Sequence, residues 1–87
     1  MQIAVFDTYV RRPDGRTMHF DILVPNEGRH PAAVLAHGRT YLSGKGISGE
    51  ALTTRECRFC HIEAASAAVL RDIERTGFSI LELQHCD

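Results

Sequence analysis

The sequence IAVFDTYVRRPDGRTMHFDILV, residues 3–24, decides the fold because it predicts a β-hairpin. Residues 3–10 and 17–24 are rich in β-branched and aromatic side chains, which favour strands. The sequence RPDGR between them is typical of a turn. Proline and aspartate suit the centre of a type I turn, and Gly15 suits the left-handed position that follows. We therefore predict a three-residue loop in which the two arginines of RPDGR lie opposite each other.

The loop length sets the register of the hairpin, and the register sorts its side chains onto two faces. One face receives an almost wholly apolar set of pairs: Ala4 with Val24, Phe6 with Ile22, Thr8 with Phe20 and Val10 with Met18. A two-residue loop would mix polar and apolar side chains, for example by pairing Val10 with His19. We therefore keep the first register and expect its apolar face to line the core.

The rest of the chain predicts two helices and two further strands. A helix over residues 31–42 begins with a proline, which is allowed in the first turn, and a second helix over residues 65–76 has a serine near its start and ends at Gly77. Residues 52–62 indicate a strand or an irregular extended segment. Residues 78–85 are apolar enough on both faces to form an interior strand.

The order of these elements, β-β-α-β-α-β, predicts an α+β fold of two layers. We expect a four-stranded sheet that includes the N-terminal hairpin and carries both helices on one of its faces. A length of 87 residues predicts a single domain spanning residues 1–87.

The composition excludes several kinds of partner. With 24% charged residues and a formal net charge of -1, the chain has no basic surface excess, so we expect no binding to nucleic acid or to an anionic membrane. The N-terminal sequence has no basic segment of a signal peptide, and its apolar stretch is interrupted at Asp7, so we also expect no membrane-spanning helix. We therefore expect a cytoplasmic protein. Its three cysteines, an odd number, suit free thiols or metal ligands in that reducing compartment.

The sequence ECRFCH contains Cys57, Cys60 and His61 in the CxxCH pattern that attaches c-type haem. We do not expect haem, because covalent attachment follows export and the chain shows no export signal. Zinc is an alternative, since Cys86 or His85 offers a further sulfur or nitrogen ligand. A regular strand would point residues 57 and 60 to opposite faces, so a zinc site there requires a turn or a bulge.

Two other readings of this motif need no metal. In thiol redox chemistry, Cys57 and Cys60 would react and Cys86 would act as a resolving thiol, but the predicted helix begins too far from the motif to lower a thiol pKa. In the simplest reading the cysteines fill space in the core, since free cysteine is among the most buried residue types. We therefore expect no cofactor, with zinc as the alternative.

The second face of the hairpin carries a cluster of polar side chains. The predicted register places Tyr9 opposite His19 and Asp7 opposite Asp21. Carboxylates placed directly across from each other repel, at a cost of a few tenths to about 1 kcal/mol. We expect His19 as an imidazolium, Arg11 or a bound cation to compensate them, and one carboxyl to have a raised pKa if the face is partly covered. The alternative is a solvated surface with water and salt between the groups.

The other end of the same face carries the apolar side chains of Ile3, Val5 and Leu23. An apolar patch on an open sheet surface indicates a partner, and a homodimer is the simplest one. The alternative is that a segment of this chain covers the patch.

The blocks VFDTYV (5–10), DGRTMHFD (14–21) and ECRFCH (56–61), together with Cys86, resemble a family of small bacterial proteins known only as a domain of unknown function. The resemblance covers essentially the whole chain, and Tyr41 stands where the family pattern leads us to expect tryptophan. It implies a compact α+β fold and a cytoplasmic bacterial protein. It implies no activity.

These observations favour a binding protein over an enzyme. We expect a non-catalytic binding or accessory protein that forms a homodimer or attaches to another protein through the second face of the hairpin. The alternative is a zinc-binding or thiol-redox protein that uses Cys57, Cys60 and His61.

Overall fold

The hairpin forms as the sequence predicts. The computed structural model describes residues 1–87 except for the side chain of residue 51. Strands β1 (Gln2–Arg11) and β2 (Thr17–Pro25) pair antiparallel, with Val10 opposite Met18 and Asp7 opposite Asp21. The backbone N–H of Gly15 donates to the carbonyl of Arg12, and Gly15 has φ of 89°. The three-residue loop and the predicted register are therefore confirmed.

The described residues add a helix α1 (Pro31–Gly44), a strand β3 (Cys57–Ala64), a helix α2 (Ala67–Thr76) and a strand β4 (Ser79–Gln84), with short 3-10 turns at Asn26–Gly28 and Gly49–Ala51. Across them the sheet has four antiparallel strands in the order β3-β1-β2-β4. The α+β class and the order β-β-α-β-α-β are confirmed. Of the predicted bounds, α1 extends two residues further and β3 begins later. The prediction that residues 78–85 form an interior strand is wrong, because β4 lies at the edge of the sheet.

The ends of α2 follow from its capping residues. The side chain of Ser66 accepts a hydrogen bond from the backbone N–H of Val69 at 3.2 Å. Gly77 ends the helix in the left-handed conformation, at φ of 90°, which costs glycine less than any other residue. The predicted signals for the start and stop of this helix are confirmed.

The placement of the helices corrects the prediction that both lie on one face. Val34 of α1 belongs to the same core cluster as the even-numbered residues of β1, such as Phe6. Ile73 of α2 packs instead against the odd-numbered residues Ile3 and Val5. Because successive side chains of a strand point to opposite faces, the helices cover opposite faces of the sheet. The fold therefore has three layers, with the sheet between the two helices. The second helix is needed because the apolar residues on the second face would otherwise be exposed to water.

That cover contradicts the proposed interaction patch. Ile3, Val5 and Leu23 are 0%, 2% and 4% exposed, because α2 packs over them. A segment of the chain itself covers the patch, as the alternative reading had it. The helix reaches only this end of the second face, and the polar end remains open.

In the part of the chain that the structure describes, no helix has the length and apolar character that crossing a membrane requires.

Candidate functional site

Three polar side chains meet at the open end of the second face. Asp7 on β1 lies directly opposite Asp21 on β2, and His19 precedes Asp21 by two residues, so the pleat points all three to the same side. Nε2 of His19 lies 3.3 Å from Oδ1 of Asp7. One ligand atom from each side chain lies within 4.8 Å of the other two. We call Asp7, His19 and Asp21 the hairpin cluster.

Tyr9 orients the imidazole of this cluster. Its ring stacks on that of His19, with centroids 4.1 Å apart and planes inclined by 10°. The two residues are directly paired across the hairpin, which brings their side chains into contact. The stack leaves Nε2 of His19 directed toward Asp7. It also holds the imidazole in one orientation at the polar end of the second face.

The paired carboxyls have different proton affinities. Burial, with the hydrogen bond to Asp7 and the charge of Asp7, raises the pKa of Asp21 to about 6. The same hydrogen bond holds the pKa of Asp7 below its usual value, and His19 lowers it further. This agrees with the expectation that one carboxyl of the pair has a raised pKa. Within the described part of the chain, Oδ1 of Asp21 is buried without a hydrogen-bond partner.

A cleft of about 610 Å³ opens beside the hairpin cluster. It lies between the polar end of β1 and the segment that leads into β3. Its lining residues are Asp7, Tyr9, Arg55, Glu56, Arg58, Phe59 and Cys60. Acidic side chains, basic side chains and two aromatic rings therefore line the same cleft. Asp7 belongs both to this lining and to the hairpin cluster.

A β-bulge places Cys60 in the cleft. Val5 pairs with His61 and the next residue of β1, Phe6, pairs with Phe59, so Cys60 is the extra residue of β3. Its thiol lines the cleft together with Asp7. Burial and the charges of Asp7 and Asp21 raise the pKa of this thiol.

His61 links the thiol to a carboxylate. Its Nδ1 lies 3.2 Å from Sγ of Cys60, and its Nε2 lies 2.6 Å from Oε1 of Glu63. Each ring nitrogen of His61 therefore has a polar partner, the thiol on one side and the carboxylate on the other. Cys60, His61 and Glu63 thus form a hydrogen-bonded chain along the edge strand.

The structure does not bring the predicted zinc ligands together. Cys60 and His61 lie at the second face, but Cys57 pairs with Thr8 and packs with the core cluster on the side of α1. Cys86 is buried in that same cluster after β4, at the other edge of the sheet, where its thiol donates to the carbonyl of His19. The proposed site of Cys57, Cys60, His61 and Cys86 is therefore corrected, because a bulge at Cys60 leaves Cys57 facing the core.

The same geometry disfavours the redox alternative. Cys57, Cys60 and Cys86 are free thiols. Burial raises the pKa of Cys57, so this thiol is held as a neutral core residue. A disulfide between Cys57 and Cys60 would require one side chain to cross the sheet.

Sequence reasoning identified the hairpin cluster but missed the cleft. Arg55, Glu56, Arg58 and Phe59 reach it because β3 pairs with β1, and that pairing joins residues about fifty positions apart in the chain. The partnership of His61 with Glu63 had a local signal, since residues two apart on a strand share a face. The bulge had no such signal.

A family model and a solved structure both match this chain. A family model described as a domain of unknown function, DUF2024, matches residues 1–83. A protein from Nitrosomonas europaea, whose structure was determined by NMR as a structural genomics target, is 38% identical over 100% of both chains with a TM-score of 0.86. No curated protein matches the sequence.

Proposed function

The chain belongs to the DUF2024 family, a domain of unknown function, and from this premise we propose that it is a small, non-catalytic binding protein that holds one divalent cation at Asp7, His19 and Asp21. The observation that carries the proposal is the convergence of three donor atoms, one from each side chain, within 4.8 Å. Two carboxylates and an imidazole are donors that transition-metal ions accept.

Charge compensation supports this assignment. When both carboxyls are ionised, Asp7 and Asp21 repel each other across the hairpin, and the partly buried face weakens the screening of that repulsion. Below about pH 6 a proton shared by the pair relieves it. Above that pH a bound cation does the same and also gives a partner to the buried Oδ1 of Asp21.

The rigidity of the frame supports binding rather than turnover. The three donors come from β1 and β2, the two central strands of the sheet. α1 packs on the first face of these strands, and α2 packs on the apolar end of their second face. Donors fixed in this way need little reorganisation to coordinate an ion, which favours affinity.

Native mass spectrometry and calorimetry test the proposal. We expect protein purified without chelator to carry the mass of one metal ion per chain. We expect His19→Ala and Asp21→Asn to lose that mass and to weaken calorimetric binding of Zn²⁺ by about tenfold or more, since each removes a ligand. Glu74→Gln removes an exposed carboxylate on α2 and should bind like the unchanged protein. Equal binding by all four proteins would refute the site.

A reducing cytoplasm suits the proposed protein. Its cysteines are free thiols, and Cys60 is exposed, so an oxidising compartment would expose it to modification.

A second copy of this chain is the partner that we propose. β4 lies at the edge of the sheet, and its side chains Leu81 and Leu83 are 50% and 47% exposed. An edge strand with apolar side chains is a template for pairing with another strand, and an antiparallel β4–β4 contact would continue the sheet across a twofold axis.

Light scattering tests this contact. We expect a dimer that Leu83→Lys converts to a monomer, because a charge on the edge opposes strand pairing. Ile62→Lys changes an exposed apolar residue on the opposite edge strand, β3, and should leave the dimer intact. A monomer at all concentrations, or a dimer in Leu83→Lys, would exclude the β4 contact.

A further inference from the structure

The carboxylate of Glu63 fixes the tautomer of His61. A carboxylate only accepts hydrogen bonds, so Nε2 of His61, which lies 2.6 Å from Oε1 of Glu63, carries a proton. In the neutral ring the other nitrogen is then an acceptor. Nδ1 therefore presents its lone pair to Sγ of Cys60, which lies 3.2 Å away and donates its S–H proton. A thiol, a base and a group that orients the base are the arrangement that activates a cysteine as a nucleophile.

Cys60 is the most accessible thiol of the chain. It is exposed at the bulge of β3 and lines the cleft of about 610 Å³. Cys57 is partly buried against the core cluster, and Cys86 is 7% exposed and donates to backbone carbonyls. Among the described residues, Cys60 therefore combines an accessible sulfur with an imidazole base.

The lining of the cleft offers charges of both signs beside this sulfur. Arg55 and Arg58 supply guanidinium groups, which bind carboxylates in a bidentate manner. Neither guanidinium forms an ion pair with a described residue. Asp7 and Glu56 supply carboxylates, which suit an ammonium group. A co-reactant that carries both carboxylate and ammonium groups therefore matches the lining better than an uncharged one does.

We propose that Cys60 is a site of reversible modification, where its thiol forms a mixed disulfide with the low-molecular-weight disulfide of an amino acid or short peptide. Co-reactants of this class carry the carboxylate and ammonium groups that the lining matches. The exchange is one covalent event per chain and needs no second cysteine of the protein. The inference goes beyond the proposed cation site and does not rest on it.

His61 serves the exchange first as a base and then as an acid. The raised pKa of the thiol leaves its proton in place in the resting protein, so a base has to accept that proton during attack. Nδ1 takes it as Sγ of Cys60 bonds to one sulfur of the co-reactant. The S–S bond of the co-reactant breaks, and the leaving thiolate takes the proton from His61. Cys60 is oxidised and the departing half is reduced, so no further oxidant is needed.

Glutathione disulfide is the probe, applied to reduced protein in the presence of a chelator. We expect intact mass to show one glutathionyl group per chain, removed by dithiothreitol, and peptide mapping to place it on Cys60. Cys60→Ser should take up no group, whereas Cys57→Ser should react like the unchanged protein. An adduct on Cys57 or Cys86 instead, or no adduct under conditions that modify a short cysteine-containing peptide, would overturn the proposal.

The rate of modification tests the role of His61. We expect His61→Ala to react about tenfold or more slowly, because the base is lost, and free imidazole in the buffer to restore part of the rate. Glu63 is a positioning residue, so Glu63→Gln, which keeps an acceptor oxygen, should react faster than Glu63→Ala. An unchanged rate in His61→Ala, or a loss that imidazole does not relieve, would overturn the assignment of the base.

An uncharged reagent, bis(2-hydroxyethyl) disulfide, tests the class of co-reactant. We expect the double variant Arg55→Gln and Arg58→Gln to react with glutathione disulfide about fivefold more slowly, and with the uncharged reagent at an unchanged rate. Equal losses with both reagents, or none with either, would overturn recognition by the cleft. Because the chelator is present throughout, these results do not depend on whether the hairpin cluster binds a cation.

Discussion

The position of Asp21 in the register of the hairpin determines the pKa of its carboxyl group. Its position opposite Asp7 follows from the three-residue loop of the hairpin, and its partial burial raises its pKa to about 6. The two residues are identical in type, yet their surroundings give them different proton affinities. The difference marks the hairpin cluster among the acidic residues of the chain.

The raised pKa of Asp21 predicts a pH dependence of stability. The folded-state pKa lies above the ordinary value of 3.8, so the folded protein holds this proton more tightly than the unfolded chain does. The contribution of this bound proton to the free energy of unfolding is fully present below about pH 4, and it is lost as the pH rises through about 6. In metal-free protein, we expect Asp21→Asn to be more stable than the unchanged protein at pH 8, by about 1 kcal/mol.

Urea unfolding at pH 5 and pH 8, in the presence of a chelator, measures this effect. The advantage of Asp21→Asn should be larger at pH 8, where the native pair is fully ionised. Glu74→Gln serves as the control, because its carboxylate is exposed on α2 and should give curves parallel to those of the unchanged protein. A pH-independent difference for Asp21→Asn would contradict the assignment.

At the scale of elements, the contact between α1 and the sheet depends on a glycine. Gly38 faces the sheet at the middle of α1, and a Cβ atom placed on it would lie 2.6 Å from Cδ2 of Leu52 and 3.0 Å from Cδ1 of Ile22. Both neighbours are fully buried, so neither has space to move. The glycine lets the helix approach the sheet closely at the cost of some helix propensity.

Substitution of this glycine is therefore expected to destabilise the protein. Gly38→Ala should lower the free energy of unfolding by about 1–3 kcal/mol, because overpacking outweighs the gain in helix propensity. Gly44→Ala, in the last turn of the same helix, meets nothing within 4 Å and should be neutral or stabilising by up to about 1 kcal/mol. Thermal unfolding of both variants measures the difference in their stabilities. Equal effects would show that the close approach of α1 to the sheet does not determine the effect of the substitution.

The hairpin and the helix ends were predictable because their signals are local. The turn chemistry of Gly15 specified the loop, and the caps Ser66 and Gly77 bounded α2. The path of each helix over the sheet depends on which edge β3 and β4 join, and no local signal encodes it. The bulge at Cys60 is a two-strand property for the same reason. Sequence reasoning therefore found the hairpin cluster and named Cys60, but it did not find the cleft that Cys60 and Asp7 both line.

At the scale of the whole molecule, the two ends of the second face of the sheet have different roles. One end contributes to stability, and the other carries the candidate site. α2 covers the apolar end, where Ile3 and Val5 are fully buried, and the polar end is left for the hairpin cluster. The helix itself contributes few buried side chains, of which Ile73 is the main one. The stability of this layer therefore depends strongly on one residue.

Removal of that side chain is expected to loosen the layer. Ile73→Ala should lower the free energy of unfolding by about 2–4 kcal/mol, through lost burial and the cavity left beneath the helix. It should also increase the fluorescence of a dye that binds exposed apolar surface, since Leu23 and its neighbours become accessible. Arg71→Ala, on the exposed side of the helix, should change the unfolding free energy by less than about 0.5 kcal/mol. A small loss in Ile73→Ala would show that α2 is dispensable for covering this face.

The stack of Tyr9 on His19 gives the molecule an intrinsic optical reporter. The chain contains two tyrosines and no tryptophan, so tyrosine emission is not masked by energy transfer to an indole. Tyr9 is half exposed at the cleft and in ring contact with His19, whereas Tyr41 lies against Phe20 and hydrogen-bonds to Glu82. Any event that changes the charge or position of the His19 imidazole therefore alters the quenching of one identifiable fluorophore, and occupancy can be followed in solution without a label.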